Sequence, residues 1–157
     1  MPVSKDEFRT ALSRFVSGIT IVTILGEDKV PAGITVSAFA SVSLEPPLVL
    51  VCIDKRASLH DSLREGRHFA VNILTEDQEH LSRRFASKEQ DRFDGCGYRE
   101  GANGAPILEG SLAYLECIVR HAYPGGDHTI VVGEVEATSV ADHKPLAYYR
   151  GGYGQLA

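Results

Sequence analysis

Apolar residues recur along this chain in two periods, a helical one at the start and a shorter one over most of the remainder. Phe8, Leu12, Phe15 and Val16 succeed one another at helical spacing. Ser4 and Glu7 stand in the S-x-x-E relation of a capping box, which satisfies free N–H groups of a first turn. The pattern predicts an opening helix that Gly18 stops. Residues 19–25 (ITIVTIL) are β-branched and predict a strand, 26–29 a hairpin loop, and 32–37 the return strand. Residues 48–53 are an unbroken apolar run between Pro47 and Asp54, which predicts a strand buried on both faces. Ser58 is expected to cap a short helix, with Asp61 as its partner and Gly66 as its stop. Residues 68–74 (HFAVNIL) read as a strand, and Thr75 with Gln78 starts a helix running to about Phe85.

Residues 86–105 are polar, carry four glycines and predict a long surface loop. Residues 112–122 and 129–140 are two long strands with a turn at Pro124-Gly125-Gly126-Asp127. The tail, PLAYYRGGYGQL, is rich in tyrosine and glycine. Six or seven strands in mostly sequential, hairpin-linked order, with two or three short helices, predict a mainly β fold. Its sheet should be largely antiparallel and closed.

Composition narrows the function. The 157 residues make one domain, 1–157, long enough for a real core. A formal charge of −5 disfavours a nucleic-acid partner, which meets a basic face. The first residues, MPVSKDEF, are polar where the apolar part of a signal peptide would lie, and the longest apolar run is too short to cross a membrane. Cys52, Cys96 and Cys117 are odd in number and widely spaced, so neither a disulfide framework nor a zinc knuckle is expected, and a reducing cytoplasm is.

Common catalytic motifs are absent: no P-loop, no G-x-S-x-G, no H-E-x-x-H, and six histidines without metal-ligand spacing. Five constellations remain. Thr35, Ser37, Ser41 and Ser43 occupy odd positions of TVSAFASVS and share one face if the segment stays extended. Hydroxyls and consecutive N–H groups suit phosphate or ring carbonyls; an ordinary Ser/Thr-rich strand edge explains them equally. Asp54-Lys55-Arg56-Ala57-Ser58 puts two cations before a capped helix start, which suits a phosphate or is a solvated loop. Arg83, Arg84 and Phe85, then Arg92 and Phe93, pair cations with aromatics, as a clamp or as charges complementing a helix C-terminus. Gly125-Gly126-Asp127-His128 places a titratable histidine at a strand start, in a site or on a surface turn. Arg150-Gly151-Gly152-Tyr153 offers a cation and an aromatic, or a frayed end.

Taken in order, these blocks resemble the short-chain flavin reductases of two-component monooxygenase systems. The resemblance runs through GITVSAFASVSLEPPLVLVC, FAVNIL, LSRRFA, DRF, PILEGSLAYLEC, GGDHTIVVGEV and PLAYYRGGY, from about Phe8 to Tyr153, and is weakest over 94–103. It implies an FMN-binding split β-barrel working as a homodimer, with FMN or FAD in a groove near the subunit interface and NADH as electron donor. Thr35, Val36, Ser37 and Ala38 would line the isoalloxazine edge, largely through backbone. Ser41 and Ser43 would lie near the ribityl-phosphate. Cys52, Ile53, Asp54 and Lys55 would form the facing wall, and Ser58 would help hold phosphate. Phe85, Ala86 and Ser87 would close over the flavin with Arg92 nearby. His128, Arg150, Gly151, Gly152 and Tyr153 resemble nicotinamide-contacting positions, with His128 the candidate catalytic residue. The implied activity is hydride transfer from NADH to flavin, whose reduced form feeds a separate monooxygenase, often one acting on phenolic compounds. Two alternatives are a non-catalytic flavin-binding module of the same barrel type and a pyridoxamine-phosphate oxidase relative, which the T-V-S-A-F and GDH blocks fit poorly.

Overall fold

The computed structural model describes residues 1–157. Helix α1 (Lys5–Leu12) opens the chain, with the Ser4 hydroxyl accepting the Glu7 N–H at 3.1 Å. It ends short of Phe15 and Val16, because the chain turns at Ser13 to feed a strand pairing. Strand β1 (Ser17–Gly18) is followed by β2 (Thr20–Leu25), β3 (Pro31–Val36), β4 (Phe39–Ser43) and β5 (Leu48–Asp54). Strand β6 (His68–Ile73) leads into α2 (Glu79–Ala86). Then come β7 (Tyr98–Glu100), β8 (Pro106–Leu108), β9 (Ala113–Gly125), β10 (His128–Val140), β11 (Leu146–Tyr149) and β12 (Gly152–Gln155). No helix is long and apolar enough to cross a membrane.

Seven strands form one antiparallel sheet in the order β3-β2-β6-β9-β10-β5-β4. Its two edge strands, β3 and β4, are consecutive in the chain and joined only by Ser37 and Ala38. So short a link brings the two edges together and rolls the sheet into a barrel. Val22, Val51, Phe69, Val71, Cys117 and Val131 are among the residues that fill it. Burial pushes the Cys117 thiol up to about 12, so it behaves as a small apolar core residue. Gly133 permits the tightest contact there: a Cβ on it would stand 2.5 Å from Cζ of Phe69.

A second core lies between α2 and the small sheet β1-β11-β12, built on Ile19, Ile21, Leu74, Leu81, Phe85 and Leu146. The predicted box opens a 3-10 turn, Glu76–Gln78, that leads into α2: the Thr75 N–H donates to Gln78 Oε1 at 3.0 Å. Buried Asn72 joins the layers, donating to Ile21 O and Thr23 Oγ1 at 3.0 Å and accepting from Leu108 N–H at 2.9 Å.

Three local expectations are corrected, and the tail, for which a frayed end is one alternative, is ordered. The predicted loop 86–105 contains β7, which pairs with β8, and its end at Ala105 is buried. The tail is a hairpin, because β11 finds partners in both β1 and β12. Strand β5 is not buried on both faces; Val49, Val51 and Ile53 are buried and the residues between them half-buried. Ser58 caps nothing: the only helical turn there is His60–Ser62, preceded by Leu59, with no side-chain cap.

Candidate functional site

The alternation of β5 decides which predicted residues face outward. Val49, Val51 and Ile53 point into the barrel, so Leu50, Cys52 and Asp54 point out. Their register partners continue the outer face: Ala40 opposite Leu50, Ile130 opposite Cys52, and His128 opposite Asp54. The Ala38 carbonyl accepts the Cys52 N–H at 3.1 Å, which brings the β3–β4 link onto the same wall. Ser37 and Ala38 are exposed, and their own N–H groups donate to no group of the protein. Beside them opens a groove of about 610 Å³. Its lining includes Phe8 and Leu12 of α1, Ala38, Leu50, Tyr148 and Gly151.

The four odd-numbered hydroxyls do not all share this face: Ser37 lines the groove and Ser43 lies opposite outward-facing Leu48, whereas Thr35 is turned to Ser82 and Ser41 is turned inward. The chain breaks strand geometry at Ser37 and Ala38, and Ser41 pairs with inward-facing Val49. A bulge at Val42 then shifts the register before Ser43. Val36 and Ile53 belong to the barrel core, at 6% and 1% exposure, so only their backbone is open to a ligand.

At the end of this wall β9 and β10 turn through Gly126, at φ +68°, and Asp127. Glycine in the first place is what so tight a hairpin requires. His128 Nδ1 lies 2.7 Å from Asp127 Oδ1. A carboxylate can only accept, so Nδ1 carries the proton and Nε2 is left free. This hydrogen bond from His128 holds the Asp127 carboxyl below its ordinary range. Arg56 holds Asp54 well below it too, with Nη2 2.9 Å from Oδ2. That leaves Lys55, exposed and in no ion pair, as the open cation of the loop, with exposed Ser58 three residues on.

The third group lies where β3, α2 and β12 meet. Thr35 Oγ1 donates to the Ser82 carbonyl at 2.7 Å, and the Ser82 hydroxyl lies 2.7 Å from the Tyr153 hydroxyl. The Arg83 guanidinium stands 4.8 Å over the Tyr153 ring centroid. Arg150, at φ 53°, and Gly151, at φ +75°, form the β11–β12 turn, and the Arg150 N–H donates to Ser13 O at 2.9 Å. Gly152 and Tyr153 open β12.

Two predicted ligand contacts have other work. Phe85 is fully buried, packed against Gly33 and edge-on to Phe93 at 5.0 Å, and so cannot close over a ligand. Arg92 donates to Gly33 O at 2.7 Å and also to Ser87 O, so it fastens the segment after α2 to β3 and is no free clamp. Ala86 is exposed, while the Ser87 hydroxyl donates to Arg84 O at 2.6 Å. Sequence reasoning missed Ser82, Tyr148 and the exposed face of α1 as parts of this region. Ser82 did leave a trace: it is a polar residue on the buried stripe that Gln78, Leu81 and Phe85 share.

Known proteins resemble this chain over nearly its whole length. The model of the flavin reductase like domain matches residues 12–157. The reductase subunit HsaB of a flavin-dependent monooxygenase from Mycobacterium tuberculosis is 45% identical over 149 residues, 93% of this chain and 79% of that protein. The FMN reductase (NADH) SmoA of Agrobacterium fabrum is 41% identical over 150 residues, 96% of this chain and 85% of that protein. Among solved structures, the NADH:FAD oxidoreductase SgcE6 of Streptomyces globisporus, in complex with NAD and FAD fragments, superposes with a TM-score of 0.92. Its identity is 37%, over 98% of this chain and 93% of that one. With a family model spanning most of its length and relatives this similar over nearly all of it, the chain belongs to the flavin reductase-like family.

Proposed function

We propose that this chain is an NADH-dependent flavin reductase that passes reduced FMN or FAD to a separate flavin-dependent monooxygenase. The observation that carries the reading is the pair of free N–H groups on Ser37 and Ala38, opening onto an apolar groove that also contains Gly151. A flat aromatic ring with carbonyl acceptors on its rim matches such a wall: apolar area for the face, donors for the edge. The flavin, when bound, supplies the hydride acceptor, N5, for the hydride leaving C4 of the dihydronicotinamide, so no protein nucleophile is needed.

The residues supply binding and orientation. Ala38, Ala40, Leu50 and Cys52 form the outward floor, with the backbone of Thr35, Val36 and Ile53 behind it. Lys55 and Ser58 are assigned the phosphate-bearing end. Arg150, Gly151, Gly152 and Tyr153 flank the nicotinamide. His128, held by Asp127, presents Nε2 as an acceptor for a carboxamide N–H when neutral. NADH is the donor in the names of the relatives SmoA and SgcE6, which supports NADH here.

NADH consumption by the purified protein, with and without FMN, FAD or riboflavin, tests the activity. Turnover that needs added flavin is expected. Flavin binding without turnover would instead make the chain a non-catalytic flavin binder.

A homodimer is part of the proposal. Phe8, Leu12 and Phe15 are 57%, 54% and 77% exposed beside the groove, an apolar face a single copy leaves open. Light scattering at micromolar concentration is expected to give twice the chain mass; a monomer would contradict it. Three free thiols are in keeping with a reducing cytoplasm.

A further inference from the structure

Thr35, Ser82 and Tyr153 come from three separate elements and meet through one residue, Ser82. Ser82 is fully buried, at 0% exposure. Its hydroxyl has one hydrogen-bond partner in the protein, the Tyr153 oxygen at 2.7 Å. A buried O–H without an acceptor is costly, so Ser82 must be the donor of this bond. The Tyr153 proton is then left over, on a side chain that is half-buried where Ser82 is wholly enclosed. The tyrosine ring itself is held. Arg83 lies over its face at 4.8 Å, fixed in turn by Glu79 at 2.9 Å, and Tyr148 packs edge-on at 5.5 Å.

We infer that Ser82 is a positioning residue: by donating to Tyr153 it turns the tyrosine into a one-way donor, aimed at a carbonyl oxygen of a ligand bound beside the β11–β12 turn. Under the proposed function, on which this inference rests, that oxygen belongs to the nicotinamide carboxamide. The Ser82 backbone carbonyl, fastened to Thr35, keeps this donor in register with the β3 edge that leads to Ser37 and Ala38. One helix residue thus spaces the two proposed subsites.

The test uses the full chain as wild type, Ser82→Ala, Tyr153→Phe, the double variant and Ser82→Thr. NADH kinetics are measured at saturating FMN, and FMN affinity by fluorescence quenching. Tyr153→Phe is expected to raise KM for NADH about 5- to 10-fold, the loss of one neutral hydrogen bond, and Ser82→Ala to raise it in the same direction but less, about 2- to 5-fold, because the tyrosine hydroxyl remains but is no longer oriented. We expect kcat and FMN affinity to stay within about twofold, and the double variant to be no worse than Tyr153→Phe alone, since without the Tyr153 hydroxyl Ser82 has nothing left to orient. Ser82→Thr, which keeps the hydroxyl, should restore KM. A wild-type KM in Ser82→Ala beside a raised KM in Tyr153→Phe would overturn the role of Ser82 and leave the nicotinamide assignment standing. Additive effects, or an equal loss of FMN affinity, would reduce Ser82 to a packing residue and overturn it too. An unchanged KM in Tyr153→Phe would remove the assignment itself, and the inference with it.

Discussion

Replacing Phe69 with alanine is expected to lower the unfolding free energy by about 3–5 kcal/mol. Phe69 is fully enclosed, paired across the sheet with Cys117 and pressed against the bare Cα of Gly133. Its ring therefore fills space on two strands of the barrel at once, and neither neighbour has a side chain long enough to swing into the void. The reciprocal change has the same cause with opposite sign. Gly133→Ala would place a methyl 2.5 Å from Cζ of Phe69, and the crowding is expected to cost about 1–3 kcal/mol. Combining Gly133→Ala with Phe69→Leu should cost less than the sum of the two, because the smaller side chain frees the space the methyl needs. Chemical denaturation at fixed protein concentration measures all of these. A loss below about 1 kcal/mol for Phe69→Ala would mean that the barrel interior is looser than the geometry requires.

His128→Ala is expected to lower kcat/KM for NADH about 5- to 10-fold, the range for losing one neutral hydrogen bond. The side chain stands on the outward wall opposite Asp54, and Asp127 fixes its tautomer. Flavin affinity should change little, since the proposed ring-edge donors are the N–H groups of Ser37 and Ala38. Asp127→Asn should produce a smaller loss of the same kind, because an amide holds either tautomer of the imidazole. Steady-state kinetics unchanged in His128→Ala would remove the histidine from the mechanism.

Much of the fold is legible in the sequence because it arises from local chemistry. The Thr75–Gln78 box, the long apolar strands of the β9–β10 hairpin and the break at Pro47 each act within a few residues. Expectation and structure part where a distant partner decides the outcome. The apolar spacing of Phe15 and Val16 continues the helical period, yet the chain leaves the helix so that Ser17 can pair with Tyr148. The loop predicted between 86 and 105 becomes partly ordered because Pro106–Leu108 offers Tyr98–Glu100 an edge.

The candidate site divides along the same line. The Ser37–Ala38 link and the Asp127–His128 pair are visible as small-residue and turn chemistry. Phe85 and Arg92 mislead because an aromatic or a guanidinium reads alike in sequence whether it faces a ligand or the interior. Phe85 takes the helical phase of Leu81, which is buried, and Arg92 is drawn to carbonyls on Gly33 and Ser87. Ser82 matters only because β12 runs past α2, a placement that depends on the hairpin at Arg150 and Gly151.

The central claim is that this wall brings NADH and flavin together for hydride transfer. Rapid anaerobic mixing of NADH with flavin and a stoichiometric amount of the protein tests it in a single turnover. The account predicts that the yellow of the oxidised flavin bleaches in step with NADH loss, far faster than without protein, and more slowly with NADH deuterated at C4. Flavin that is bound, as its quenched fluorescence would report, but bleaches no faster than in buffer would contradict it.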